Sequence, residues 1–412
     1  MRKVAAVSGP RSELSQSHFV LVQFGDYRDA FKRFEQGGRE NYYAQRYSVD
    51  YIGSLVQRFA RVSTLCLTID HAPETLSNGI SASGITLYPD GGRPRMGELL
   101  RALDSLKPDY LLLQSPLTPV LNWVRNRGIQ ALPIFFDSFH SSGLKARLNY
   151  WQLARALRAA DFRWVANHSL AASLDLVRIG TPADRVLPID WPVLDTPRNR
   201  AAKHAPTGPA FRSIFVGRVS VTKGAKDAID ATQALNEKHP DREYHLSLIG
   251  HDDGGELERY SRTLSHAARI HFLGLVSHDR IVALMNDHDA VLVPSHHEYP
   301  EGLPMTIYEA FCSRSPLIAS DHPMFSLRLR SRDNCLQFPA KSVKDLAARI
   351  RELSSDAAIY RTLSESCVEA ADRHFCPLKY HDVIDRWLSG QPEDDAYLAK
   401  FSLAASPATA IG

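Results

Sequence analysis

Short apolar runs alternate along this chain with longer stretches in which apolar residues recur every three or four positions. Residues 18–24 (HFVLVQF), 61–68, 110–114, 130–136 (QALPIFF) and 162–166 read as buried strands, and 85–88 is a further candidate. Between them, 40–58, 96–106, 120–126, 144–159 and 170–179 carry helical spacing. In the first of these Tyr43, Tyr47, Tyr51, Leu55 and Phe59 fall four apart on one face. The second half repeats the scheme. Strands are expected at 211–216, 244–249, 270–273, 290–293 and 315–320. Helices are expected at 225–235, 276–287, 343–353, 357–373 and 378–388. Strands that alternate with helices mean βαβ units and a mainly parallel sheet. Ligands of such sheets bind beyond the carboxyl ends of the strands. Residues 190–209, with four prolines and no periodicity, read as an exposed linker. The chain therefore divides into 1–195, 196–376, a last helix at 377–390 and a flexible tail at 391–412.

Length agrees, since 412 residues exceed one ordinary core. A hydrophobic content of 44% and a charged content of 23% are those of a globular protein. The net charge of +3, without a dense basic tract, does not call for nucleic acid. The five cysteines are widely spaced, with no CxxC and no Cys/His cluster, so reduced thiols and no metal site are expected. No apolar run reaches the length of a membrane span, and the N-terminus lacks the apolar core of a signal peptide. A cytoplasmic protein is expected, with peripheral contact at the inner face of the plasma membrane left open.

Candidate chemistry concentrates at 294–310, PSHHEYPEGLPMTIYEA. Glu301 and Glu309 stand eight residues apart, with Gly302, Leu303 and Pro304 between them. Proline suits the first turn of a helix. Glu301 is therefore expected just before the helix and Glu309 in its second turn. A free helix N-terminus offers unpaired N–H groups to a phosphate, and Gly302 lets a ligand approach the backbone. Two acceptor-only carboxylates beside it suit a phosphorylated ligand rich in hydroxyls, such as a nucleotide sugar. Eight helical residues rise about 12 Å, too far for the carboxyl pair of a retaining hydrolase. Upstream, GRVSVTKG (217–224) joins a strand to a helix, and there Arg218 and Lys223 can neutralise a diphosphate. It is no Walker A loop, and no GxGxxG follows a predicted strand, which disfavours a dehydrogenase.

The 294–310 stretch resembles the E-x7-E signature of the family 4 retaining glycosyltransferases of GT-B fold, and GRVSVTKG resembles their G-R-x-x-x-x-K-G stretch. The resemblance is strong over 211–325 and weaker over 17–190. It implies two Rossmann-like domains facing an interdomain cleft. It places Glu301 near the donor sugar, Glu309 on the nucleotide ribose, and Arg218 and Lys223 on the diphosphate. Leu275 and Val276 would wall the base. Gly37 and Gly38 would border the donor phosphate and the acceptor, in a strand–glycine loop–helix unit. The family's His-Asp pair after its central strand is here Phe136-Asp137, so the histidine is displaced; Asp137 and, three residues on, His140 are the candidates, against a helix-capping role. The reaction implied is transfer of a sugar from a nucleoside diphosphate sugar to a glycan or lipid-linked acceptor in bacterial envelope assembly, without metal or bound cofactor. Two alternatives stand beside it, a nucleotide-sugar epimerase or hydrolase and a non-catalytic subunit of a glycan-assembly complex.

Overall fold

Strand β1 (His18–Gln23) is buried along its first five residues, as a parallel strand covered on both faces must be. The computed structural model describes residues 14–40, 44–139, 143–158, 162–192, 195–299, 304–325 and 328–405. The chain divides into two compact units. One takes in the chain up to Pro192 and again from Cys376; the other is Val193–Phe375.

In the first unit β1 is followed by β2 (Arg61–Cys66), β3 (His71–Thr75), β4 (Ser81–Gly84), β5 (Tyr110–Leu113), β6 (Gln130–Phe135), β7 (Val165–His168) and β8 (Val186–Ile189). They form one sheet in the order β3-β4-β2-β1-β5-β6-β7-β8. Only β3 runs antiparallel to its neighbour. The helices between them are α1 (Tyr27–Glu35), α2 (Gln45–Ser54), α3 (Met96–Leu106), α4 (Thr118–Arg127), α5 (Leu144–Leu157) and α6 (Leu170–Arg178).

The second unit is a parallel sheet of β9 (Ala210–Val216), β10 (Glu243–Ile249), β11 (Ile270–Gly274), β12 (Ala290–Val293), β13 (Leu317–Ser320) and β14 (Leu336–Phe338), in the order β11-β10-β9-β12-β13-β14. The helices are α7 (Ala225–Lys238), α8 (Glu256–Ser261), α9 (Ile281–Asn286), α10 (Met305–Ser313), α11 (Val343–Ser355) and α12 (Ala357–His374). Phe211, Phe215, Leu246, Leu248 and Leu292 of the sheet pack with Ile229, Leu346 and Ile350 of the helices. Strand order reverses between β9 and β12, the place where open α/β sheets bind ligands.

After the second unit the chain returns to the first as α13 (Tyr380–Ser389) and α14 (Pro392–Ala399). Tyr380, Val383, Ile384 and Leu388 complete the core on one face of the first sheet.

Several expectations are corrected. The helix expected over 40–58 begins only at Gln45, and the polar stretch before it holds α1. Asp26 caps α1 by accepting from Asp29 N at 3.1 Å. Gly37, at φ +75°, ends it, and the N–H groups of Gly37 and Gly38 donate back to Phe34 O and Arg33 O. Gly37-Gly38 thus close a helix C-terminus and do not open a helix after a strand, so those two N–H groups are already spent. The strand expected at 85–88 lies earlier, at β4, and β3, β8 and β14 were not expected. The segment expected as a loose linker is tied down. Asp190 is buried and hydrogen-bonds Cys376 N. Lys203 Nζ donates to Asn286 O at 2.6 Å, to Ser315 Oγ at 3.0 Å and to His288 O. Nor is 391–405 a flexible tail. Leu398 of α14 is fully buried, and Asp395 accepts from Trp164 Nε1 at 2.7 Å.

Candidate functional site

The two loops that leave the sheet at the β9/β12 reversal are bound to each other. Gly224, the residue before α7, has φ +82°, and a Cβ there would stand 2.0 Å from Pro294 O. Only glycine lets the loop after β9 come so close to the loop after β12. His296 N donates to Thr222 O at 2.9 Å, and its buried ring meets Asp227 with Nε2 2.8 Å from Oδ2. Thr306 Oγ1, in the first turn of α10, donates to Val216 O at 3.3 Å. Loop 217–224, loop 294–299 and the start of α10 are therefore one packed assembly.

Lys223 is held inside it. Only 7% of this lysine is exposed, and its Nζ lies 4.8 Å from the ring centroid of Tyr299, a cation–π contact. Arg218 stands further out, its side chain 61% exposed and paired with Asp253, Nε to Oδ2 at 2.9 Å. That hydrogen bond holds the Asp253 carboxyl below the usual carboxylate range. His251 Nε2 lies 3.1 Å from the same carboxyl. An exposed pair of this kind is worth little, so Arg218 can exchange Asp253 for another anion.

Helix α10 starts after Pro304, which occupies the cap position with φ −63° rather than the first turn. Glu309 falls in the second turn, as the spacing predicts, and is 6% exposed. Burial pushes its carboxyl up to about 8. His278 Nδ1 lies 3.3 Å from Glu309 Oε1, and burial lowers that imidazole below its ordinary value. Near neutral pH the two meet mainly as a neutral acid and a neutral ring. His278 lies in the loop after β11 that also carries Leu275, 78% exposed, and the half-buried Val276.

Arg218, Lys223, Pro304, Glu309, Leu275 and Val276 thus all follow carboxyl ends of strands in the second unit. Gly37, Gly38 and Asp137 belong to the first. Asp137 is exposed after β6, and its carbonyl accepts from Asn167 Nδ2 at 3.0 Å. Ser169 caps α6, accepting from Ala172 N at 3.3 Å. Glu301, Gly302, Leu303 and His140 lie outside the described residues. Sequence reasoning missed Tyr299, His278, His296 and Asp253. Tyr299 and His296 sat unassigned inside the quoted signature, and Asp253 in the HDDGGE turn. Among the described residues no group of three His, Cys, Asp or Glu side chains could hold a metal ion. No helix among them is long and apolar enough to cross a membrane.

Residues 196–374 match the family model described as glycosyl transferases group 1. Among similar curated proteins, the glycogen synthase of Mycobacterium tuberculosis is 30% identical over 189 residues, 45% of this chain and 41% of that protein. The GDP-mannose-dependent alpha-(1-6)-phosphatidylinositol dimannoside mannosyltransferase of the same species is 29% identical over 224 residues, 51% and 58% of the two chains. The chain thus spans about two fifths to three fifths of the length of these relatives. Among solved structures, Anabaena HepE in complex with UDP-glucose superposes with a TM-score of 0.61 at 16% identity, over 93% of this chain and 100% of that one. Sucrose-phosphate synthase from Thermosynechococcus elongatus gives 0.60 at 18%, over 87% and 95%. At these identities the likeness shows the fold, and that fold is GT-B, built from two Rossmann-like α/β units.

Proposed function

We propose that this chain is a retaining glycosyltransferase of the family 4 kind, which moves a sugar from a nucleoside diphosphate sugar to a glycan or lipid-linked acceptor. The observation that carries the reading is the packed assembly at the β9/β12 reversal. It holds a buried ammonium, a guanidinium with an exchangeable partner, a helix start and a buried carboxyl. The family match over the same unit supports it.

In this reading the diphosphate lies against Lys223, Arg218 and the first N–H groups of α10. As the bond to the sugar stretches, negative charge grows on the leaving diphosphate, and these preset positive groups stabilise it. Glu309 accepts hydrogen bonds from the ribose hydroxyls, which favour its charged form, so donor binding releases a proton. Leu275 and Val276 pack against the base, and Glu301 orients the donor sugar with backbone help from Gly302 and Leu303. Asp137 and His140 serve the acceptor side in this reading, as do Gly37 and Gly38, though not through their N–H groups. The proposed reaction uses no metal and no bound cofactor. Its setting is bacterial envelope or polysaccharide assembly on the cytoplasmic side of the membrane.

HepE was solved with UDP-glucose, and the mannosyltransferase relative is named for GDP-mannose. The test therefore begins with thermal melting in UDP, GDP and ADP, since a ligand of the native state raises the transition. One of the three should raise it, and the matching sugar donor should then yield a product that keeps the anomeric configuration, in EDTA as well. If none raises it, the reading fails. Sugar product formed from donor alone, without acceptor, would favour the epimerase or hydrolase reading.

A further inference from the structure

Helix α5 presents large apolar side chains to solvent over its first eight residues. Leu144 is 85% exposed, Leu148 54% and Trp151 53%. Their spacing of four and then three places them in one stripe along the helix. Leu153, Ala154, Ala156 and Leu157, in the second half, are the residues α5 buries in the first unit. The outward stripe is therefore separate from the face that holds the helix in place.

The charges that α5 itself sets beside the stripe are all positive. Lys145, Arg147, Arg155 and Arg158 are exposed, and residues 143–158 contain no Asp or Glu. The Arg155 guanidinium lies 5.5 Å from the ring centroid of Trp151. Arg125 of α4 adds a cation beside them, on the rim of a hollow of about 520 Å3 that Trp151 and Arg155 also line. Because α5 follows β6, its exposed start lies toward the carboxyl ends of the first sheet, where such sheets bind their ligands.

We propose that this face docks on an anionic lipid surface. Apolar side chains in a stripe, a tryptophan among them and cations on the flanks are what a helix lying in the headgroup region requires. A soluble polyanion would use the cations but gain nothing from Leu144 and Leu148. A second copy of the chain would set cations against cations. Of these three occupants, the lipid surface is the one that uses both the stripe and its flanks. In the glycosyltransferase reading it would bring a lipid-linked acceptor to the first unit, but the docking itself rests on α5 and does not need the donor site.

The test is co-sedimentation of the full chain with phosphatidylcholine vesicles and with the same vesicles containing a third of phosphatidylglycerol. The chain should pellet with the mixed vesicles, not with the neutral ones, and less as salt rises. Leu148→Ser with Trp151→Ser should abolish pelleting without lowering the melting temperature or the response to nucleoside diphosphates. Arg147→Gln with Arg155→Gln should weaken binding roughly 25-fold, at about fivefold per cation near an anionic surface. Pelleting by the Leu148/Trp151 variant at the wild-type level would overturn the proposal. So would equal binding to neutral vesicles, or heparin binding without vesicle binding. It falls too if the chain ignores vesicles and forms a dimer that the same variant dissociates. Failure of every nucleotide to bind would sink the donor reading and leave this one standing.

Discussion

Glu309 is a carboxyl in a place that favours its neutral form. Its value in the folded chain is raised, from an ordinary 4.5 to about 8. The stability linked to this group is therefore full below about pH 4.5 and is lost as pH climbs through 8, by about 3–5 kcal/mol at complete ionisation. Glu309→Gln should flatten the fall in melting temperature between pH 5 and 8 and weaken nucleoside diphosphate binding. A variant whose pH profile matches the wild type would contradict this. Lys223→Met should keep the fold and cost about 10–100-fold in nucleoside diphosphate affinity, since hydrogen bonds to a charged group are the strong ones; a nucleoside lacking phosphates should bind both proteins alike. Arg218, Lys223 and Glu309 were legible in the sequence because a strand, a glycine and a fixed spacing precede each. Their companions were not. Tyr299 meets Lys223, His278 meets Glu309 and Asp253 meets Arg218 only because loops from different strands converge, and one-dimensional spacing carries no trace of that.

At the scale of elements, the approach of the loops after β9 and β12 leaves no room at Gly224. Gly224→Ala should destabilise the second unit by about 1–3 kcal/mol, through its positive φ and the clash with Pro294 O. Nucleotide affinity should fall with it, as denaturant titration and calorimetry can show. The segment 195–209 is a comparable case. Lys203 caps the carbonyls at the end of α9 and just beyond it, and burial lowers its ammonium to about 8. Lys203→Met takes the ammonium from Asn286 O, leaves His288 O with Ser315 Oγ as its donor, and should cost about 1–3 kcal/mol, read as a lower denaturation midpoint. The apolar strands β1, β5, β6 and β12 stood out as continuous runs because they are buried along all but an end residue at most. β8 and β14, both at sheet edges, went unread, and β14 has only three residues. α1 was hidden by its charges, since it buries just Tyr27, Ala30 and Phe34. Prolines made 190–209 look loose, and nothing local revealed that a lysine side chain pins it from within.

Over the whole molecule, the boundary between units crosses the chain twice, after Pro192 and before Cys376. The final helices belong to the first unit, where Tyr380, Ile384 and Leu398 are fully buried. Ile384→Ala should therefore destabilise that unit by about 2–5 kcal/mol, the range for emptying a buried aliphatic site. In a calorimetric scan the loss should fall on the first unit's transition. The order of synthesis runs against this architecture. Domains usually mature as the ribosome releases them, amino end first. Here the sheet made first still lacks α13, so the half translated later is the earlier one to be finished. Until residues 376–398 leave the exit tunnel, the face of the nascent first sheet that α1 and α2 cover in part still lacks Tyr380, Val383, Ile384 and Leu388.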